Sequence, residues 1–174
     1  MSDHTTAAAS LALTILAVLA VNDARAGNAQ TRHISGNATS FCQSALPVFD
    51  GNVRKRPLAV QNEGSGNAFV TCSFTSQATD LFDVAVFAIN NTGVPVALTC
   101  TAVTGGVDST NTYNAKTISI PAFGIQGVGW TGVDYGGGAD SPIPGSGLFN
   151  VSCNLLPGVG IASASVRFLE SIGG

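Results

Sequence analysis

Apolar and polar residues alternate with a period of two over much of the chain beyond residue 56. In a strand, residues two apart face the same side of a sheet, so this alternation marks strands with one buried face. The pattern predicts strands at Pro57–Gln61, Asn67–Phe74, Phe82–Asn90, Val94–Ala102, Lys116–Ile120, Ile125–Trp130, Gly147–Asn154 and Gly160–Glu170. Turn chemistry separates them at Glu63-Gly-Ser-Gly66, Asn90-Asn-Thr-Gly93, Thr104-Gly-Gly106 and Pro157-Gly158. Phe82–Ile89 is apolar on both faces apart from Asp83, which suits an interior strand. Val94–Thr101 alternates cleanly and suits a half-buried one. About eight antiparallel strands with turns every 8–12 residues or so predict an all-β fold, a single jelly-roll-like β-sandwich. Two long loops interrupt it, Gly105–Ala115 and Thr131–Ser146.

The N-terminus reads differently. An apolar stretch from Leu11 to Val21 precedes Ala24-Arg25-Ala26, a small-x-small cleavage pattern. That is the length of a signal-peptide core and too short for a bilayer span. The n-region lacks Lys and Arg and carries Asp3 and His4, which departs from the usual pattern. The expected organisation is a signal peptide over 1–26, a loose polar N-terminal segment over 27–41 and a β-sandwich over 42–174. No lipobox, twin-arginine pair or second apolar span occurs. The expected location is therefore secreted or periplasmic, with no membrane span after cleavage.

Charged residues make up only 10% of the chain, well below the usual share of about a quarter. Cleavage after Ala26 leaves six basic and eight acidic residues, net −2. Arg54, Lys55 and Arg56 form the one basic cluster, too small for a nucleic-acid footprint. All four cysteines, Cys42, Cys72, Cys100 and Cys153, follow the leader, and their even number implies disulfides. No CxxC occurs, which removes the usual redox and zinc motifs. Strand phase places Val70 and Phe74 with Cys72, Val96 and Leu98 with Cys100, and Phe149 and Val151 with Cys153. Those three cysteines are thus expected to face the core. Spacing leaves all three possible pairings open.

The segments Val70-Thr-Cys72, Leu98-Thr-Cys100 and Val151-Ser-Cys-Asn-Leu-Leu-Pro-Gly158, with a last strand ending at Glu170, carry a resemblance. From Cys42 to Glu170 the layout resembles a loose group of uncharacterised secreted bacterial β-rich proteins with two disulfides and a Cys-x-Leu-x-Pro-Gly ending. The resemblance implies the pairs Cys42–Cys72 and Cys100–Cys153. It implies no particular activity. Loops of these sizes, once closed, stabilise by about 3–4 kcal/mol each in the chain-entropy picture.

Chemistry narrows the function classes. After cleavage His33 is the one remaining histidine and sits in the polar N-terminal segment, a poor base for a Ser-His-Asp or Cys-His hydrolase. No G-x-S-x-G or H-E-x-x-H occurs. The acids Asp50, Glu63, Asp80, Asp83, Asp108, Asp134, Asp140 and Glu170 offer no evident glycosidase pair. Asp134 and Asp140, separated by a Gly-rich stretch, are the candidate calcium ligands. Trp130, Tyr135 and Tyr113 lie in or beside the long loops and are the candidate sugar-stacking rings, although Trp130 also ends a strand and equally suits the core. The triplets at Asn37, Asn90 and Asn150 match the glycosylation sequon.

The leading expectation is a secreted, non-catalytic structural or interaction protein, without cofactor. Its partners would be surface glycans or further copies of itself, and an exposed apolar edge strand would favour the latter. The alternatives are a carbohydrate- or calcium-dependent binding module and, after it, a glycoside hydrolase. The cysteine count predicts that denatured, unreduced protein titrates no free thiol; a reactive cysteine in that assay refutes the disulfide reading.

Overall fold

Wherever the alternation of the sequence is clear, a strand forms, and two sheets of such strands close over a common core. The computed structural model describes residues 28–74, 80–106, 110–145 and 148–172. The leader expected over residues 1–26 lies outside the described residues. By its contacts the chain divides into two units. Thr31–Glu170 carries the sandwich. In the other, Met1–Gln30 with Ser171–Gly174, the described residues are extended strand.

The described strands are β1 (Asn28–Asn37), β2 (Cys42–Ser44), β3 (Val53–Arg56), β4 (Ala59–Asn62), β5 (Ala68–Phe74), β6 (Asp80–Asn90), β7 (Val96–Gly105), β8 (Thr112–Ile120), β9 (Ile125–Thr131), β10 (Leu148–Leu155) and β11 (Val159–Ile172). One sheet has the order β3-β4-β11-β6-β9, with β1 also paired to β11; the other has the order β2-β5-β10-β7-β8. Neighbouring strands along both of these orders pair antiparallel. The eight strands legible in the sequence are β4 to β11. They fill the two sheets as β4-β11-β6-β9 and β5-β10-β7-β8, the interleaved order of a jelly roll. As its doubly apolar sequence suggests, β6 is interior, between β11 and β9.

A correction concerns the segment 27–41, expected to be loose: its described residues, 28–41, form β1 and then helix α1 (Ala38–Phe41), capped by Asn37, whose Oδ1 accepts the Thr39 N–H at 3.0 Å. Backbone pairing with β11 places the polar β1, beside which Arg32 and Glu170 form an exposed ion pair of 2.7 Å, while Ala38 is buried in the core and Phe41 packs against it.

Inward-facing residues of both sheets make one core, with Trp130, Phe149, Leu81 and Leu98 among its largest members. Cys42 pairs with Cys72 and Cys100 with Cys153. Each bridge joins residues directly opposite one another on neighbouring strands, with Cα atoms 3.9 and 4.1 Å apart. Both lie in the five-stranded sheet, and all four cysteines are buried.

Two buried asparagines tie one end of the sandwich together in the same way. At the end of β4, the Asn62 Oδ1 accepts the Gly64 N–H at 3.0 Å, while its Nδ2 donates to Gly66 O and Leu155 O. At the end of β6, the Asn90 Oδ1 accepts from Thr92, and its Nδ2 donates to Val94 O and Pro121 O. Each side chain thus shapes its own turn and holds the end of a strand from the opposite sheet. An Asx turn needs Asn or Asp at this place, and burial favours the uncharged amide. Asn90→Ala removes the side-chain donor to the Ile120 and Pro121 carbonyls and the acceptor that holds Thr92, while Val94 O keeps the Thr92 hydroxyl. We expect a loss of about 3–5 kcal/mol in urea unfolding; a loss below about 1 kcal/mol would show that the turns hold without it.

Candidate functional site

Of the candidate site residues, Trp130, Asp134 and Tyr135 lie together at one edge of the sandwich, where β8 faces β9. Lys116 on β8 points inward and donates to the Gly129 carbonyl of β9 at 2.7 Å. Its Nζ also lies 2.7 Å from Asp134 Oδ1. Asp134 sits in a 3-10 turn (Gly132–Tyr135) directly after β9, and its Oδ2 accepts the Thr131 N–H at 2.8 Å, closing a capping box. Gly136 ends that turn with φ 83°, a left-handed conformation glycine adopts without strain. Asn114 on β8 donates to Asp134 O at 2.9 Å and receives the Trp130 indole N–H.

This arrangement redistributes the candidates. Trp130 is 0% exposed and its ring belongs to the core, with Lys116 Nζ 5.9 Å from the ring centre. It is therefore no platform for an external sugar. Tyr135 packs edge-on against Phe149, and its hydroxyl is buried without a hydrogen-bond partner. That burial, and secondarily the Asp134 charge, push the phenol well above its ordinary pKa. Both Asp134 carboxylate oxygens are committed to Lys116 and Thr131, and Asp140 is exposed. Among the described residues, no three His, Cys, Asp or Glu side chains group as a metal site. Of the three aromatic candidates, Tyr113 alone presents its ring to solvent, at 67% exposure.

The sequons are likewise absorbed at two positions. Asn37 caps α1 and donates to Pro57 O, and Asn90 is buried in its turn network. Asn150 remains on the solvent side of β10.

Tyr113 belongs to a surface not evident from the chain. The outer face of the five-stranded sheet runs in rows across its strands. Thr71 lies opposite Ser152, Ser152 opposite Thr101, and Thr101 opposite Ala115. The adjacent row is Ser73, Asn150, Val103 and Tyr113. Beyond these, Thr99 and Thr117 share a hydroxyl–hydroxyl bond of 2.8 Å. No outward position of β5, β7, β8 or β10 carries a charge. A shallow pocket of about 250 Å³ opens beside Tyr113's row, lined by Val103, Gly105, Asn111, Leu148 and Asn150 among others. A wider cleft of about 450 Å³, between the edges of β2 and β3, has Asp50 and Lys55 on its walls and no aromatic ring.

No family model matches the sequence, and neither does any curated protein. Similar solved structures include carbohydrate-binding modules. A xylan-binding module, CBM15, is 10% identical with a TM-score of 0.49, over 80% of this chain and 97% of that one. The CBM35 from Cellvibrio japonicus Abf62 is 13% identical with a TM-score of 0.39, over 84% of this chain and 94% of that one. The Podospora anserina GH26-CBM35 β-(1,4)-mannanase is 12% identical with a TM-score of 0.45, over 82% of this chain. The chain spans 28% of that mannanase and 29% of an exo-β-1,3-galactanase from Phanerochaete chrysosporium. Among the described residues no helix is long and apolar enough to cross a membrane.

The Lys116 cluster yields a stability prediction. Lys116→Met keeps the aliphatic stem but removes the carbonyl cap and the partner of a half-buried carboxylate. We expect a loss of about 2 kcal/mol, read by chemical denaturation. No loss would mean that the edge contacts are replaced by water without cost.

Proposed function

We propose that this chain is a secreted, non-catalytic β-sandwich that binds a neutral glycan on the outer face of its five-stranded sheet. The observation that carries the reading is the uncharged row surface of Thr, Ser and Asn with the exposed Tyr113 ring at its side. A sugar chain offers hydroxyls that both donate and accept, and C–H faces that stack on aromatic rings. Threonine, serine and asparagine side chains also donate and accept, so they match those hydroxyls without the desolvation cost of a charge. The Tyr113 ring supplies the stacking surface, with its hydroxyl free at the tip. Two cross-strand disulfides tie four strands of this sheet in pairs, which lowers the ordering cost of binding. Export follows from the leader pattern, and oxidised cysteines accord with it.

Several carboxylates that a glycosidase would need are otherwise engaged, which supports a non-catalytic reading. Asp83 pairs with Arg167, Asp134 with Lys116, Glu63 with Arg56 and Glu170 with Arg32. The test is a glycan array with and without calcium, followed by calorimetry on the best ligand. The expected result is a calcium-independent neutral oligosaccharide ligand whose affinity falls about tenfold or more in Tyr113→Ala and in Thr101→Lys. Binding that requires calcium, or that survives both substitutions, overturns the assignment of this face.

A further inference from the structure

The sheet edges are not equally protected. An edge strand exposes unpaired N–H and C=O groups, and proteins usually blunt it with charge, shortness or an inward-pointing lysine. Here β1 carries Arg32, and β3 carries Arg54, Lys55 and Arg56. β2 is three residues long. β8 has the inward Lys116. The exception is the first half of β9.

The outward groups of β9 follow from its register. Asn90 N–H donates to Gly124 O at 2.9 Å, so Gln126, Val128 and Trp130 turn their amides toward β6. Ile125, Gly127, Gly129 and Thr131 then turn theirs outward. This agrees with the outward Gly129 carbonyl taken by Lys116 and the outward Thr131 N–H taken by Asp134. At Ile125 and Gly127 no strand pairs with this edge among the described residues, and the Gly127 carbonyl has only the Gln126 amide at 3.5 Å.

The surroundings of that half-edge are apolar. Ile125 is 58% exposed, Val94 62% and Phe123 76%. Phe123 holds φ 52° in the Pro121–Gly124 turn, a left-handed conformation that normally falls to Gly or Asn. A bulky aromatic is thus kept in solvent against a backbone preference. Phe87 lies across Gly127, 3.0 Å from where a Cβ would stand. The chain has no charged residue from Val84 to Val107 or from Thr117 to Val133.

We propose that the Ile125–Gly127 edge of β9 pairs with the same edge of a second copy of this chain, antiparallel about a two-fold axis. Such an axis sets like against like, so a charge on the edge would face itself; this edge has none. With Gln126 at the axis, Ile125 stands opposite Gly127 of the second copy. That register uses the outward groups of Ile125 and Gly127 and leaves Gly129 and Thr131 to Lys116 and Asp134. It sets the Ile125 side chain beside a residue without a Cβ, against the Phe87 ring of the other copy. Phe123 and Val94 extend the apolar contact. A heterologous extended peptide could use the backbone groups, but self-complementarity of the apolar and side-chain-free positions favours the second copy.

Sedimentation velocity across a concentration series on the purified chain tests this, together with amide exchange at Ile125 and Gly127. The expected result is a reversible dimer, with exchange at both amides slowed as concentration rises. Ile125→Lys weakens the dimer about tenfold or more. Phe123→Gly also weakens it, yet leaves the thermal midpoint unchanged or raised because it relieves the left-handed phenylalanine. A chain that stays monomeric into the millimolar range overturns the proposal. So does a dimer indifferent to Ile125→Lys and Phe123→Gly, or one formed without protection at Ile125 and Gly127. Glycan binding through Tyr113 stands or falls independently, since that face belongs to the other sheet.

Discussion

The contact of Lys116 with Gly129 and Asp134 is the constraint on which both the closed edge of the sandwich and the fate of the candidate site residues depend. A jelly roll has two sheets whose edges must be closed or protected. Here one ammonium, reaching inward from the edge of one sheet, caps a carbonyl on the edge of the other and neutralises the carboxylate of the following turn. Asn114 extends the link to the Trp130 indole, which anchors the largest core side chain to the same edge. Because both Asp134 oxygens are used there, a residue that looks in sequence like a loop cation ligand is a structural clasp. The clasp also reaches no further back than Gly129, and among the described residues no strand covers the beginning of β9.

The five-stranded sheet is cross-linked within its own ladder. Both disulfides lie within it, and each opposes cysteines already in register. They therefore reinforce pairs that the ladder has made rather than joining the two layers. The layers are held instead by core burial, by the Lys116 link from β8 to β9, and by the Asn62 and Asn90 side chains, which reach strand ends of the opposite sheet. Polar groups at such depth are tolerated only when satisfied, and each of these amides uses both its oxygen and its nitrogen. The outcome is a cross-linked sheet whose outer rows of hydroxyls and amides are set by cross-strand register.

Strands β4 to β11 were legible because each has a buried face, and burial writes itself into sequence as alternation. β1, β2 and β3 lack that signal. β3 reads Val-Arg-Lys-Arg with only Val53 partly buried, and β1 is polar throughout most of its length. Backbone pairing at an edge leaves no pattern in side chains. The candidate site was less legible for a related reason. Trp130 and Tyr135 were correctly placed near a long loop, but which way each ring turns depends on Asn114 and Phe149, distant in sequence. The uncharged outer face is spread over Thr71, Thr101, Tyr113 and Ser152, and only cross-strand register assembles it. Local alternation shows that these residues face outward; it does not show that they face outward together.

The two proposed surfaces occupy different sheets, and this has a physical consequence. Pairing through β9 would lengthen the sheet containing β6 and β11 while leaving the outer face of β5, β10, β7 and β8 uncovered. Neither event would need the other's residues, so neither blocks the other. A two-fold pair then carries two equivalent polar faces in a fixed relation. On a polymer or a surface displaying many copies of one glycan, the second face binds at high effective concentration, and avidity can exceed the single-site affinity by about 100-fold or more without a new contact. Each face can accordingly remain weak and uncharged. A shallow, uncharged surface of hydroxyls and amides beside one exposed tyrosine is the kind of site that gains most from being presented twice.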